Sequence, residues 1–105
     1  MTEKDRKITL ELKRELSNIV EIKEMRVFGS RAKGSHDRYS DLDVFLLVEK
    51  ITPELKDKIK EIAWELSLKH SIYISLMVFT KDEVENSSLK FSPILRNINN
   101  QGIKI

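Results

Sequence analysis

Two aspartates separated by one residue, Asp41 and Asp43, stand at the entrance of a run from Leu42 to Val48 that is otherwise entirely apolar. Side chains at positions i and i+2 of a strand share a face, so the two carboxylates project together while Leu42 and Val44 turn to the opposite side. Adjacent carboxylates repel, and one tends to keep a proton unless a cation neutralises them. A hard divalent ion with oxygen ligands does this. Magnesium is the natural candidate, because it takes one or two protein carboxylates and fills its other positions with water and phosphate oxygens. The pair reads as a metal site completed by a phosphate-bearing ligand such as ATP, not as a closed structural cage.

Ten residues separate Asp41 from a second feature, Gly29-Ser30. Glycine lets the backbone approach a phosphate closely, and Ser30 offers a hydroxyl and N–H groups where a helix begins, the end that favours anions. Arg31 and Lys33 add positive charge nearby. Either half alone has an ordinary explanation, since glycine-serine turns are common and carboxylates at a strand entrance are often merely solvated. The two halves in one short stretch carry the inference.

The elements that must position these residues are legible from periodicity. Ile8, Leu12, Leu16 and Ile19 recur at nearly helical spacing among charged residues, which predicts an amphipathic first helix. Met25 to Phe28 predicts a short strand that runs straight into the Gly29 to Gly34 turn. Leu42 to Val48 lacks alternation and predicts a central strand buried on both faces. Thr52-Pro53 caps a long helix running toward His70. Ile72 to Phe79 predicts a third strand, and Thr80 with Glu83 has capping-box spacing for a short helix. Ser92-Pro93 opens a last helix through Ile98, and Gly102 turns the chain into a terminal strand over Ile103 to Ile105. This order predicts an α+β fold, a mixed sheet with helices packed mainly on one face.

A chain of 105 residues supports one compact domain over residues 1–105. Nineteen basic and seventeen acidic side chains leave a net charge of only +2, too small a field to argue for direct nucleic-acid binding. Without cysteine there is no disulfide framework or thiolate ligand, so any metal is held by oxygen or imidazole, and a cytoplasmic location fits. No apolar run approaches the roughly 20 residues of a membrane span, so a soluble protein is expected.

Gly29-Ser30, ten residues, then Asp41-Leu42-Asp43 resembles the G-S-x10-D-x-D signature of the polymerase-β nucleotidyltransferase superfamily. More narrowly, Val27-Phe28-Gly29-Ser30-Arg31-Ala32-Lys33-Gly34 with Ser40-Asp41-Leu42-Asp43-Val44 is similar to the minimal nucleotidyltransferases, the MntA-type antitoxins paired with HEPN ribonuclease toxins. The Phe79-Thr80 and Ser92-Pro93-Ile94-Leu95 segments fit that layout too. The resemblance implies a polymerase-β-like fold and transfer of AMP from Mg-ATP. It also implies Asp41 and Asp43 as catalytic metal ligands, and Gly29, Ser30, Arg31 and Ser40 as nucleotide contacts. The acceptor it implies is a tyrosine hydroxyl of a HEPN toxin, in a hetero-oligomer with this chain.

One position departs from the pattern. Catalytic members of the superfamily carry a third carboxylate on a later strand between apolar residues, and the aligned residue here is Ser75, within Ile74-Ser75-Leu76. Serine neither carries negative charge nor acts as a strong base. This leaves open an antitoxin that neutralises its toxin by contact alone, and a small-molecule nucleotidyltransferase as a lesser alternative. Outside the motif, His36 lies in the loop before the carboxylates, within reach of phosphate or metal, but a lone loop histidine reads more readily as a solvent-exposed residue. Trp64 reads as a core or partner contact, Tyr39 and Tyr73 as structural, and Arg26 as reaching an acidic neighbour or a nucleotide phosphate or, more simply, as a solvated edge residue.

Overall fold

A computed structural model describes residues 1–105. Helix α1 spans Glu3–Ser17, opened by a capping box in which Thr2 Oγ1 accepts from Asp5 N–H and the Asp5 carboxylate accepts from Thr2 N–H. Its stripe of Ile8, Leu12 and Leu16 is buried. The helix stops before Ile19, which is left at the surface. Strand β1 covers Ile22–Phe28 and runs directly into the short helix α2, Gly29–Lys33. Strand β2 covers Leu42–Val48, and helix α3 covers Pro53–His70 with Thr52 Oγ1 accepting from Leu55 N–H. Strand β3 covers Ile74–Thr80, α4 covers Lys81–Asn86 and α5 covers Pro93–Gln101, with a 3-10 turn at Ser88–Phe91 between the two helices. Strand β4, Ile103–Lys104, closes the order.

The sheet is four-stranded in the order β3-β2-β1-β4. Strand β1 runs antiparallel to both β2 and β4, whereas β2 and β3 are parallel. The sheet is therefore mixed, and α3 forms the crossover that two parallel neighbours require. Strand β1 begins earlier than its apolar content suggested. Lys23 and Glu24 belong to it because the ladder with β2 continues there, Ile22 opposite Val48 and Glu24 opposite Leu47; Glu24 also meets Arg26 at 2.8 Å and Lys104 of the neighbouring strand at 3.4 Å.

Alternation along β2 divides the core. Leu42, Val44, Leu46 and Val48 are fully buried with α1 and α3, joined by Ile59, Ala63, Leu66, Val27 and Ile74. Each valine, leucine or isoleucine among them contributes about 1.5–3 kcal/mol when removed from water. On the other face Phe45 meets Leu95 and Ile98 of α5 in a smaller cluster. The two long helices thus cover one face. The other is covered only at the Phe45 end, which leaves the Asp43 end of the same face open. The serine that ties α3 to β3, Ser67, is buried: its hydroxyl donates to Ala63 O at 2.7 Å and accepts from Ile74 N–H at 3.0 Å. No helix is long and apolar enough to cross a membrane.

Candidate active site

Asp43 is the second residue of β2 and lies in register with Phe28 of β1 on one side and Ser75 of β3 on the other. Register partners share a sheet face, so its carboxylate stands between Phe28 and the Ser75 side chain. Because Gly29 follows Phe28 immediately, the turn into α2 is delivered onto Asp43. Gly29 takes a left-handed backbone, φ 73°, and leaves no room for a side chain against the Asp43 carboxylate. Asp41, two residues earlier, precedes the ladder and is exposed.

The electrostatics of the pair follow from this placement. Burial pushes the Asp43 carboxyl above the usual aspartate value, and the neighbouring Asp41 charge pushes it the same way. The Ser75 hydroxyl, a hydrogen-bond donor to Asp43, pulls in the opposite direction. A half-buried carboxylate beside a second one is under repulsion that a divalent cation relieves, and both donors are hard oxygens. The donor set thus suits magnesium held by Asp41 and Asp43, with the remaining positions left to water and phosphate oxygens.

The other motif residues are placed less uniformly. Gly29 and Ser30 sit at the mouth of α2, adjoining Asp43. Arg31, expected among the nucleotide contacts, has instead a buried guanidinium: its Nη1 donates to Asp5 Oδ1 and its Nε to Ser40 O, both at 2.9 Å. Ser40, expected beside it, uses its hydroxyl within the loop, accepting from Asp37 N–H at 3.1 Å. Lys33 is exposed.

His36 is half-buried with its Nδ1 free of any protein partner. Arg26 is not a solvated edge residue. It is largely covered and donates to Glu24 at 2.8 Å and to Asn99 O at 3.3 Å. Trp64, Tyr73 and Tyr39 are exposed, so Trp64 is not a core residue.

The residue that motif reading passed over is Asp5. Its signal was present. It lies three residues before Ile8 and seven before Leu12, on the buried stripe of α1. A carboxylate on such a stripe demands a charged partner.

A mixed sheet presenting a carboxylate pair beneath a glycine-serine turn is the architecture of a nucleotidyltransferase. The sequence matches the family model described as nucleotidyltransferase domain over residues 6–104, and the chain belongs to that family. A protein of Methanocaldococcus jannaschii named "Putative protein adenylyltransferase" is 43% identical, the match covering 75% of this chain and 90% of that protein. A toxin–antitoxin crystal structure with AMP-PNP superposes with a TM-score of 0.65 at 20% identity, covering 93% of this chain and 69% of that chain. The complex of a tri-AMPylated Shewanella oneidensis HEPN toxin with its MNT antitoxin gives a TM-score of 0.61 at 17% identity, covering 99% and 71%. At these identities the structural likeness is one of fold.

Proposed function

We propose that this chain transfers AMP from Mg-ATP to a hydroxyl of a partner protein, a tyrosine of a HEPN ribonuclease toxin, and thereby acts as its antitoxin in a hetero-oligomer. The observation that carries the reading is the contact of Gly29 with the Asp43 carboxylate, on which the Asp41 charge also acts: it supports a place for a phosphate beside a place for a cation. The name of the archaeal relative supports the reaction class. The fold neighbours, one with an ATP analogue and one with an AMPylated toxin, support the donor and the acceptor.

In this reading Asp41 and Asp43 would hold magnesium, which would supply charge neutralisation of the phosphates. Gly29 admits the β- and γ-phosphates to the backbone, and Ser30 donates to them from the start of α2. The acceptor oxygen bonds to the α-phosphorus as the bond to the bridging oxygen breaks, and pyrophosphate leaves. The hydroxyl proton passes to a base on the partner or to water, because the neutral Ser75 hydroxyl is too weak a base to take it. Positioning and charge neutralisation therefore carry most of the rate enhancement here.

Incubation with α-labelled ATP, magnesium and the partner toxin tests this. Label on the toxin, lost in Asp41→Asn and Asp43→Asn, is the expected result. A second reading, inhibition by contact alone, is favoured by the serine at position 75. An unlabelled toxin that Asp41→Asn still inhibits would establish it and sink the transfer reading.

A further inference from the structure

We propose that Asp5 and Arg31 form a buried strut that holds Asp41 in place beside Asp43, so that Arg31 is a positioning residue for the carboxylate pair and not a contact of the nucleotide. The inference rests on the reading of Asp41 and Asp43 as the cation ligands.

The two aspartates are held by different means. Asp43 is flanked by register partners on both sides, Phe28 and Ser75, so the sheet itself locates it. Asp41 precedes the first ladder residue and has no such support. Its main chain is instead bracketed by one bond on each side. Leu42 N–H donates to Tyr73 O at 2.9 Å, and Ser40 O accepts from Arg31 Nε at 2.9 Å. From Asp37 to Ser40 the other hydrogen bonds are internal to the loop, such as Tyr39 N–H to Asp37 Oδ1 at 2.8 Å. The Arg31 bond is therefore the tie between the loop and the body of the protein immediately before Asp41.

The far end of the strut is anchored in the core. Arg31 Nη1 meets Asp5 Oδ1 at 2.9 Å, with the two side chains only 8% and 1% exposed. The other oxygen of Asp5 accepts from Thr2 N–H at 3.2 Å, so the same carboxylate caps α1 and grips the guanidinium. Helix α1 is in turn fixed by Ile8, Leu12 and Leu16. The planar guanidinium presents Nε and Nη1 to two acceptors at fixed geometry, which a lysine with one nitrogen cannot do. A purely stabilising ion pair needs only the Asp5 end. The bond to Ser40 O is what couples it to the site.

The test compares Arg31→Lys and Asp5→Asn with Leu16→Val, a core change at the opposite end of α1 from Asp5. In Arg31→Lys and Asp5→Asn, the Leu42 amide should exchange with solvent faster in metal-free protein. The magnesium concentration for half-maximal ATP binding, read by calorimetry, should rise about tenfold, the low end for groups that orient a metal ligand. Leu16→Val should lower the melting temperature while leaving both readouts as in the parent protein. Unchanged Leu42 exchange in Arg31→Lys would overturn the strut, and so would an equal rise in the magnesium midpoint for Leu16→Val. Failure of the unaltered protein to bind ATP with magnesium would instead overturn the underlying metal reading, an outcome that the exchange measurement keeps separate.

Discussion

Gly29 lies directly against the carboxylate of Asp43: a side-chain carbon placed on Gly29 would come 3.3 Å from the Asp43 carboxyl carbon and nearer still to Oδ2. The position is closed twice, by this contact and by its left-handed φ of 73°. Gly29→Ala is expected to lose about 1–2 kcal/mol of stability from the backbone alone. It should also displace Asp43, and an error of about 1 Å in a reacting group lowers turnover roughly 100-fold. Urea denaturation and the rate of label transfer measure the two effects separately.

Ser75 faces Asp43 across the parallel β2–β3 pair. Replacing it by aspartate adds a third carboxylate beside Asp43. Ser75→Asp should raise magnesium-dependent transfer about 100-fold, the lower end for a positioned general base. In metal-free protein the added charge should lower the melting temperature, with magnesium restoring it. A transfer rate at or below that of the parent protein would show that the base is supplied elsewhere.

Leu46 is fully buried between β2 and the two long helices, whereas its neighbour Leu47 is only partly buried on the opposite face. Leu46→Ala should cost about 3 kcal/mol, within the range for a buried leucine that leaves a cavity. Leu47→Ala should cost less because less apolar surface is lost. The comparison is read from paired denaturant midpoints at unchanged slope.

Glu11 joins α1 to the end of α3, accepting from Lys69 at 2.6 Å and facing His70 Nε2 at 3.1 Å. The hydrogen bond from Lys69, then that from His70, holds its carboxyl below the ordinary 4.5. A depressed carboxyl stabilises the fold at pH above its unfolded value and loses that contribution as pH falls through the folded one. Glu11→Gln should therefore be less stable at pH 7 by about 0.5 kcal/mol, since Lys69 is exposed and the pair is screened. The difference should vanish well below pH 4.5. Melting curves across that window, at low and high salt, check both the sign and the screening.

Much of the candidate site's layout was legible in the linear sequence because its parts are local. Gly29-Ser30 and Asp41-Leu42-Asp43 are short segments whose own backbone geometry sets how their side chains project. The strand from Leu42 announced its burial on both faces through its lack of polar alternation. Ser75 was also legible, because its apolar neighbours marked the strand position. The three-residue extension of β1, by contrast, depends on Ile22 and Glu24 pairing with Val48 and Leu47 of β2, partners that no local pattern shows.

Arg31 marks the division most clearly. Beside a glycine-serine turn a guanidinium has two destinations, an incoming phosphate or a buried carboxylate, and the spacing is the same for both. Sequence by itself determined the residue types and the helix and strand on which Gly29, Ser30 and Asp43 sit, whereas Asp41 falls just before β2, outside the strand geometry that its spacing suggested. Only the packing of α1 against the sheet brings Asp5, 26 residues away in the chain, within reach of Arg31. A charge inside the protein takes the partner that relieves its desolvation, and which partner is near enough is a property of the tertiary structure.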